Sequence, residues 1–558
     1  MQQKTNFPFP LIPLWLVWLL AVFFATYGLG SYAILDNNEG LYAEIPREML
    51  RSGDWRHWII PHLNGLAYME KPPLLYWLTA ISFSLFGESE WSARLVPALA
   101  SLSCVAMLLR FSTRLRRMQA GRLAAAMFVS GLGVTAMSRT LMFDMLLTAL
   151  LTAAFMSGYV FCTTRQKTAL YWSFSMLALA LLAKGFVALV LFCAVLGGYL
   201  LTQATSPKDF ICRLTMWLDW RGISLFLFIA APWHIVATLT EPLFAWFYFI
   251  NEHVLRFLGK REPHDYYAGA WWYYLPRMLV YLFPWSFFLP VLLFTRSRRP
   301  INASLQWFMA CAWILPVLFF SVSSAKANYY LVAVMPLATL QLAMALEDRG
   351  LSERVGLALP GLLLAALFGI VALMLGRSEQ GWLASLQIGA QAASSFVRTY
   401  LLALTGLSVV TAMLAWKSVR VGIFAYLLIP LATLPMFLNI LQASDEWTSA
   451  RPLAQLLQAS FSGREVVLYE IFENKSSLPF YLKAPVKVVG SRSSDLFWGN
   501  KLHENQIVLS DSAFETALQH QRVGLVVMNQ DVSDFETKNY YKNFKQNRKI
   551  GNITLFLN

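Results

Sequence analysis

The sequence predicts a polytopic α-helical membrane protein with a small soluble α/β segment behind it. Three observations predict it. Hydrophobic residues fill 57% of the 558 positions and charged residues only 14%, unlike the balance of soluble globular chains. About thirteen stretches approach the roughly 20 apolar residues that cross a bilayer. From about residue 441 the composition turns polar, and short β-branched runs alternate with turn signals. The formal net charge of +14 fits the same picture, because many basic residues sit in short loops between apolar stretches, where they orient spans rather than bind nucleic acid. The five cysteines show no metal spacing and imply no disulfide framework.

Taken in order, the candidate spans lie near 11–33, 91–110, 119–137, 141–162, 168–184, 186–204, 222–240, 276–296, 303–322, 328–346, 355–375, 398–416 and 420–440. The first has little positive charge before it and no small-residue cleavage site, so it is expected to be retained. The stretch 73–87 is expected to lie at the membrane interface. With the N-terminus in the cytoplasm, the inner loops hold Arg110, Arg114, Arg116 and Arg117, then Arg165 and Lys167, then Lys208, Arg213 and Arg221. Arg296, Arg298 and Arg299 follow, then Arg349 and Arg354, and finally Lys417 and Arg420, so every inner loop carries at least two bases. An odd count places the C-terminus outside. The expected division is a membrane domain at 1–440, with a first outer loop at about 34–90, and an outer α/β domain at 441–558.

The first outer loop is the longest polar run before residue 440, and the chemistry is expected there. Glu39 to Leu50 reads as an amphipathic helix with Tyr42, Ile45, Pro46 and Met49 on one face and Glu44, Arg47 and Glu48 on the other. Pro61, Asn64-Gly65 and Pro72-Pro73 then break the chain into turns. In the C-terminal segment 466–472, 486–490, 506–510, 523–528 and the final ITLFLN read as strands, with helices at 450–459 and 512–519.

Several side chains could carry chemistry. Lys71 sits in EKPP, where two prolines hold the backbone extended. Arg139, Lys184, Arg256 and Lys326 map to outer ends of spans or to outer loops. Converging, these bases would form a phosphate or pyrophosphate site; apart, they would anchor lipid head groups. Asp144 begins an apolar helix, an expensive place for a charge unless it is paired, and Arg139 is a candidate partner. Tyr329 and Tyr330 follow Lys326 and read either as interfacial belt residues or as hydrogen-bond donors to a phosphate. Glu70 and His264 are candidate ligands for a divalent metal, zinc or magnesium, brought together from two outer loops.

The motifs YAEIPREM (42–49), EKPPLLYW (70–77), SRTLMFDM (138–145), AKG (183–185), NEHVLRFLG (251–259) and SSAKANYYL (323–331) occur in an order that resembles the bacterial aminoarabinose transferases. These are 4-amino-4-deoxy-L-arabinose lipid A transferases, grouped with the protein O-mannosyltransferases in the GT-C class of membrane glycosyltransferases. The resemblance implies an inverting transfer of a sugar from undecaprenyl phosphate, at the periplasmic face of the bacterial inner membrane, to lipid A or another envelope acceptor. It implies that Lys71, Tyr329 or Tyr330 meets the donor phosphate, that Asp144 is a second functional acid, and that Glu70 and His264 match metal-holding positions. The family's key Asp is replaced by Asn38, so Asp36 or Glu39 is expected to take its role, or the acceptor differs. A hydroxyl acceptor benefits from such a base, whereas a phosphate acceptor mainly needs cations and positioning. A lipid or sugar transporter is the rival from another class, but no internal repeat is visible and the candidate acids lie in an outer loop and at a span end; a non-catalytic binder of polyprenyl lipid is the other alternative, which Asn38 keeps open.

Overall fold

The computed structural model describes residues 12–264, 269–294, 302–349, 354–377, 390–460 and 463–558. Among these, eight helices are long and apolar enough to cross a membrane: Leu95–Arg114, Phe143–Thr164, Trp220–Thr240, Ala303–Val322, Asn328–Asp348, Gly356–Leu375, Phe396–Lys417 and Val421–Ala443. The expected thirteen therefore reduce to eight by this measure. Apolarity counts residues, not unbroken helix. The first candidate forms only the 13-residue helix Leu14–Thr26. The third splits at Gly131 into Met118–Ser130 and Leu132–Met137. The eighth breaks around Pro284 into Tyr274–Tyr281, the turn Trp285–Phe288 and Leu289–Phe294. Arg296, Arg298 and Arg299, and most of the predicted outer loop 376–397, lie outside the described residues.

The amphipathic helix of the first loop forms over Asn38–Arg51, and nearly all of it is buried, Glu44, Arg47 and Glu48 included. Its polar face meets protein rather than water. The segment 472–477 packs across the start of this helix, and toward its other end the Gly65 amide donates to both Glu48 oxygens at 3.1 Å. Any side chain at Gly40 would meet the Ser476 hydroxyl at 2.4 Å and the Ser477 nitrogen at 2.5 Å. Leu74–Phe86 follows as a short apolar helix.

Beyond residue 463 the chain builds one six-stranded sheet in the spatial order Val508–Leu509, Lys487–Val489, Glu465–Tyr469, Val523–Met528, Ile553–Leu557, Gln546–Ile550. The first four strands run parallel and the last two pair antiparallel. Each stretch read as a strand contains one. Gln546–Ile550 was not expected, because its QNRKI sequence is largely exposed at the sheet edge and shows no apolar alternation.

Candidate active site

A cavity of about 1080 Å³ lies where the first loop, several helix ends and the C-terminal sheet meet. One wall is apolar, with Phe186, Val190, Phe249, Phe257, Phe319 and Phe320 among its residues. The lining also carries Lys71, Lys184, Arg256 and Arg261 beside Glu70, Asp144, Glu252, Glu473 and Asp495.

Glu252 organises the cations. Arg256 donates to it at 2.9 Å, Lys71 lies 3.4 Å away, and Arg261 pairs with it closely. Burial pushes its carboxyl up, but Arg261, Lys71 and Arg256 together outweigh burial and hold it well below the usual carboxylate range. Arg261 reaches on to Glu70 at 2.6 Å and donates to the Pro263 carbonyl at 3.1 Å. Lys71 makes only long contacts: 3.4 Å to Glu252, 3.7 Å to Glu70 and 3.4 Å to the Glu70 carbonyl. An ammonium held this loosely keeps donor capacity for an incoming anion.

Lys184 ends the helix Lys167–Lys184, pairs with Asp144, and sits 4.6 Å above the Tyr330 ring and 5.4 Å from that of Tyr329. The next residue must be glycine. At Gly185 φ is +86°, and a Cβ would meet His253 Nε2 at 2.6 Å and the Tyr248 hydroxyl at 2.8 Å. His253 in turn fixes this corner. Its Nε2 accepts from the Phe186 amide at 3.1 Å, which makes Nδ1 the donor to the Tyr248 carbonyl at 2.5 Å.

The sequence candidates divide sharply. Lys71, Asp144, Arg256, Tyr329, Tyr330 and Glu70 line the cavity, and so does Asn38. Asp36 and Glu39 do not. Asp36 accepts from Lys475 at 2.9 Å and from the Ser477 hydroxyl at 2.6 Å, tying the first loop to the C-terminal segment. Burial pushes its carboxyl up, and Lys475 and Ser477 oppose the shift. Glu39 forms a two-point pair with Arg94, both distances 2.8 Å, and accepts from the Leu35 and Leu141 amides at 2.9 Å. Arg139 is buried, does not line the cavity, and donates to the Tyr27 and Phe24 carbonyls; the partner of Asp144 is Lys184 instead. Lys326 turns back on its own loop and donates to the Ser321 and Ser323 carbonyls at 2.8 and 2.7 Å.

His264 is exposed and lies outside the cavity lining. Arg261 already occupies Glu70, and among the described residues no three His, Cys, Asp or Glu side chains gather as a metal site. The residues as placed form ion pairs, not a ligand set, so no step is routed through a metal. Glu252, Arg261, Glu473 and Asp495 were not among the sequence candidates, although Glu252 lies inside the NEHVLRFLG motif.

The helical bundle and the six-stranded sheet meet at this cation-lined, partly apolar cavity. Over 97% of both chains the fold matches ArnT from Cupriavidus metallidurans, solved bound to undecaprenyl phosphate, with a TM-score of 0.77 at 21% identity. The family model for dolichyl-phosphate-mannose-protein mannosyltransferase matches residues 70–236. Curated relatives include the undecaprenyl phosphate-α-4-amino-4-deoxy-L-arabinose arabinosyl transferase of Aeromonas salmonicida, 32% identical over 59% of this chain and 60% of its own. A similarly named protein of Sodalis glossinidius is 33% identical over 65% of each chain. The matched region thus spans less than two thirds of these relatives. The family resemblance read from the sequence is borne out.

Proposed function

We propose that this protein is an inverting glycosyltransferase that moves a sugar from a polyprenyl phosphate to an acceptor at the periplasmic face of the bacterial inner membrane. The single observation that carries the reading is the pairing of Lys71 and Lys184 with an aromatic wall in one cavity, which suits a phosphate joined to a long apolar chain. As the sugar leaves the donor, charge builds on the phosphate. On this reading Lys71 and Lys184 stabilise that charge, with the Tyr329 and Tyr330 rings beside Lys184. The names of the relatives make undecaprenyl phosphate-linked 4-amino-4-deoxy-L-arabinose the first donor to test and lipid A the first acceptor, ahead of another envelope glycan or a protein hydroxyl.

The reading is tested by incubating the purified protein with that donor and lipid A and following products by mass spectrometry. Transfer that Lys71→Ala abolishes supports it; undiminished activity in the variant overturns the role of Lys71. A cytoplasmic N-terminus and a periplasmic C-terminal domain belong to the same proposal, and a cytoplasmic reporter active at the C-terminus would overturn them. A metal at Glu70 and His264 is tested by chelation. If Arg261 supplies the charge at Glu70, EDTA leaves transfer unchanged, whereas a rate lost to EDTA and restored by zinc or magnesium restores the metal.

A further inference from the structure

The cations around Lys71 are assembled from two separate loops, and one helix of the C-terminal segment touches both. Arg261 links the loops directly: it pairs closely with Glu252 and reaches Glu70 at 2.6 Å. Lys71 contacts the same two carboxylates, but only at 3.4 and 3.7 Å. Arg261 thus helps to neutralise both acids, which leaves the Lys71 ammonium loosely held. Without Arg261 in place, the Glu70 carboxylate would draw Lys71 in and take up the donor capacity that an incoming anion needs.

The position of Arg261 is set from outside the cavity, through the backbone of its neighbour Glu262. The buried Asn251 side chain accepts from the Glu262 amide at 3.0 Å and donates to the Glu262 carbonyl at 2.7 Å. The same carbonyl accepts a second bond, at 2.8 Å, from the indole N–H of Trp498. Trp498 lies on the helix Ser494–Leu502, is buried, and packs against the Trp246 and Phe247 rings with centroids 5.7 and 5.4 Å away. The next residue reaches the other loop. A Cβ at Gly499 would meet the Ala67 carbonyl at 2.7 Å and Leu66 Cβ at 2.8 Å, so the helix is seated against the strand Leu66–Ala67, just ahead of Glu70. Two adjacent residues of one helix therefore grip the two loops that Arg261 bridges.

We propose that Trp498 is a positioning residue for donor binding: through Glu262 it fixes Arg261 between Glu70 and Glu252, and so keeps Lys71 open to the donor phosphate. The inference rests on the polyprenyl-phosphate reading above. Trp498 does not line the cavity, so it acts without touching donor or acceptor. An indole suits the role, because it joins a rigid apolar body to a single N–H at its edge. The C-terminal segment thereby takes part in donor binding from behind the cavity wall.

The test measures the equilibrium affinity of the full-length protein in nanodiscs for undecaprenyl phosphate, in wild type, Trp498→Phe, Arg261→Lys and the double variant. Phenylalanine keeps an aromatic ring and drops the N–H, while the Glu262 carbonyl retains its bond from Asn251, so no buried acceptor is stranded. Lysine at 261 keeps a charge but lacks the fork that spans two carboxylates. Loss of one hydrogen bond that places a charged group predicts an affinity about three- to tenfold weaker in Trp498→Phe. In the Arg261→Lys background the same substitution should change affinity by less than about twofold, because effects that pass through one shared residue are not additive. A tryptophan with only a packing role would lower the melting temperature alike in both backgrounds and show no such coupling. Unchanged affinity in Trp498→Phe, or an equal loss in both backgrounds, overturns the positioning role while leaving the donor reading intact. Wild type that fails to bind undecaprenyl phosphate would overturn the polyprenyl-phosphate reading, and the inference with it.

Discussion

Two buried carboxylate–cation pairs lie close together in this protein and do different work. Glu39 and Arg94 are saturated: beyond its two contacts to Glu39, Arg94 donates to the Leu29, Tyr32 and Ala33 carbonyls at 3.0, 2.9 and 2.7 Å and lies 3.7 Å over the Tyr32 ring. Nothing in that pair is left for a ligand. Asp144 and Lys184 instead border the cavity, with two tyrosine rings beside the ammonium. The same residue types read alike in a sequence. What separates a structural pair from a functional one is unspent hydrogen-bonding capacity facing open space.

The comparison breaks if substitutions in the two pairs behave alike. The largest expected effect is on turnover. Lys71→Ala and Lys184→Ala should each lower transfer by about a hundredfold or more while the protein still inserts and elutes as a monodisperse peak, because on the proposed reading each removes a charge that stabilises the leaving phosphate. Arg94→Ala should do the reverse. It strands Glu39 in a dry site and should cost about 3–5 kcal/mol, read as a lower melting temperature or lost yield, with any surviving protein retaining its rate. A stable Arg94→Ala protein with no turnover would place that pair among the functional groups.

Much of this organisation was legible beforehand, for identifiable reasons. Long apolar runs, basic loops and alternating strands are local signals. They gave the membrane bundle and the position of the sheet strands, although breaks at Gly131 and around Pro284 interrupt helices that composition alone reads as continuous. Lys71, Asp144 and Tyr329 were legible because they sit in motifs. Asp36 and Glu39 looked equally suitable, and only tertiary contact with Lys475 and Arg94 shows them occupied. Glu473 and Asp495 gave no signal, since their meeting depends on two strands pairing in parallel and on the 472–477 segment docking over Gly40.

The docked helix also predicts a pH dependence. Burial, then the nearby Glu44, pushes the Glu48 carboxyl up to about 8. Both its oxygens accept from the Gly65 amide at 3.1 Å, which opposes the shift. A carboxyl with a raised folded-state pKa binds more protons folded than unfolded, so its contribution falls as pH rises from about 4.5 to about 8. Glu48→Gln should remove that dependence, giving a variant roughly 4 kcal/mol more stable than wild type near pH 8 and only slightly more stable near pH 5. Thermal melts at the two pH values check this; parallel curves would mean that the group stays ionised in the folded state.

The smallest effect sharpens the comparison most. Asn38 lines the cavity at the first position of the buried helix, with the Tyr42 hydroxyl 3.4 Å from its Oδ1. An aspartate there would supply the acid that the motif resemblance leads one to expect, at a helix N-terminus where negative charge is favourable. Asn38→Asp should therefore fold normally. A hydroxyl acceptor must lose a proton as the glycosidic bond forms, so the new carboxylate should raise its transfer several-fold, well short of what a fully positioned base delivers. A phosphate acceptor has no such proton to lose, and its rate should stay level or fall through repulsion. Measuring both acceptors with one donor separates the cases. A gain confined to hydroxyl acceptors would mean that the native protein works without a base at this position, its catalysis resting on the cations that line the same cavity.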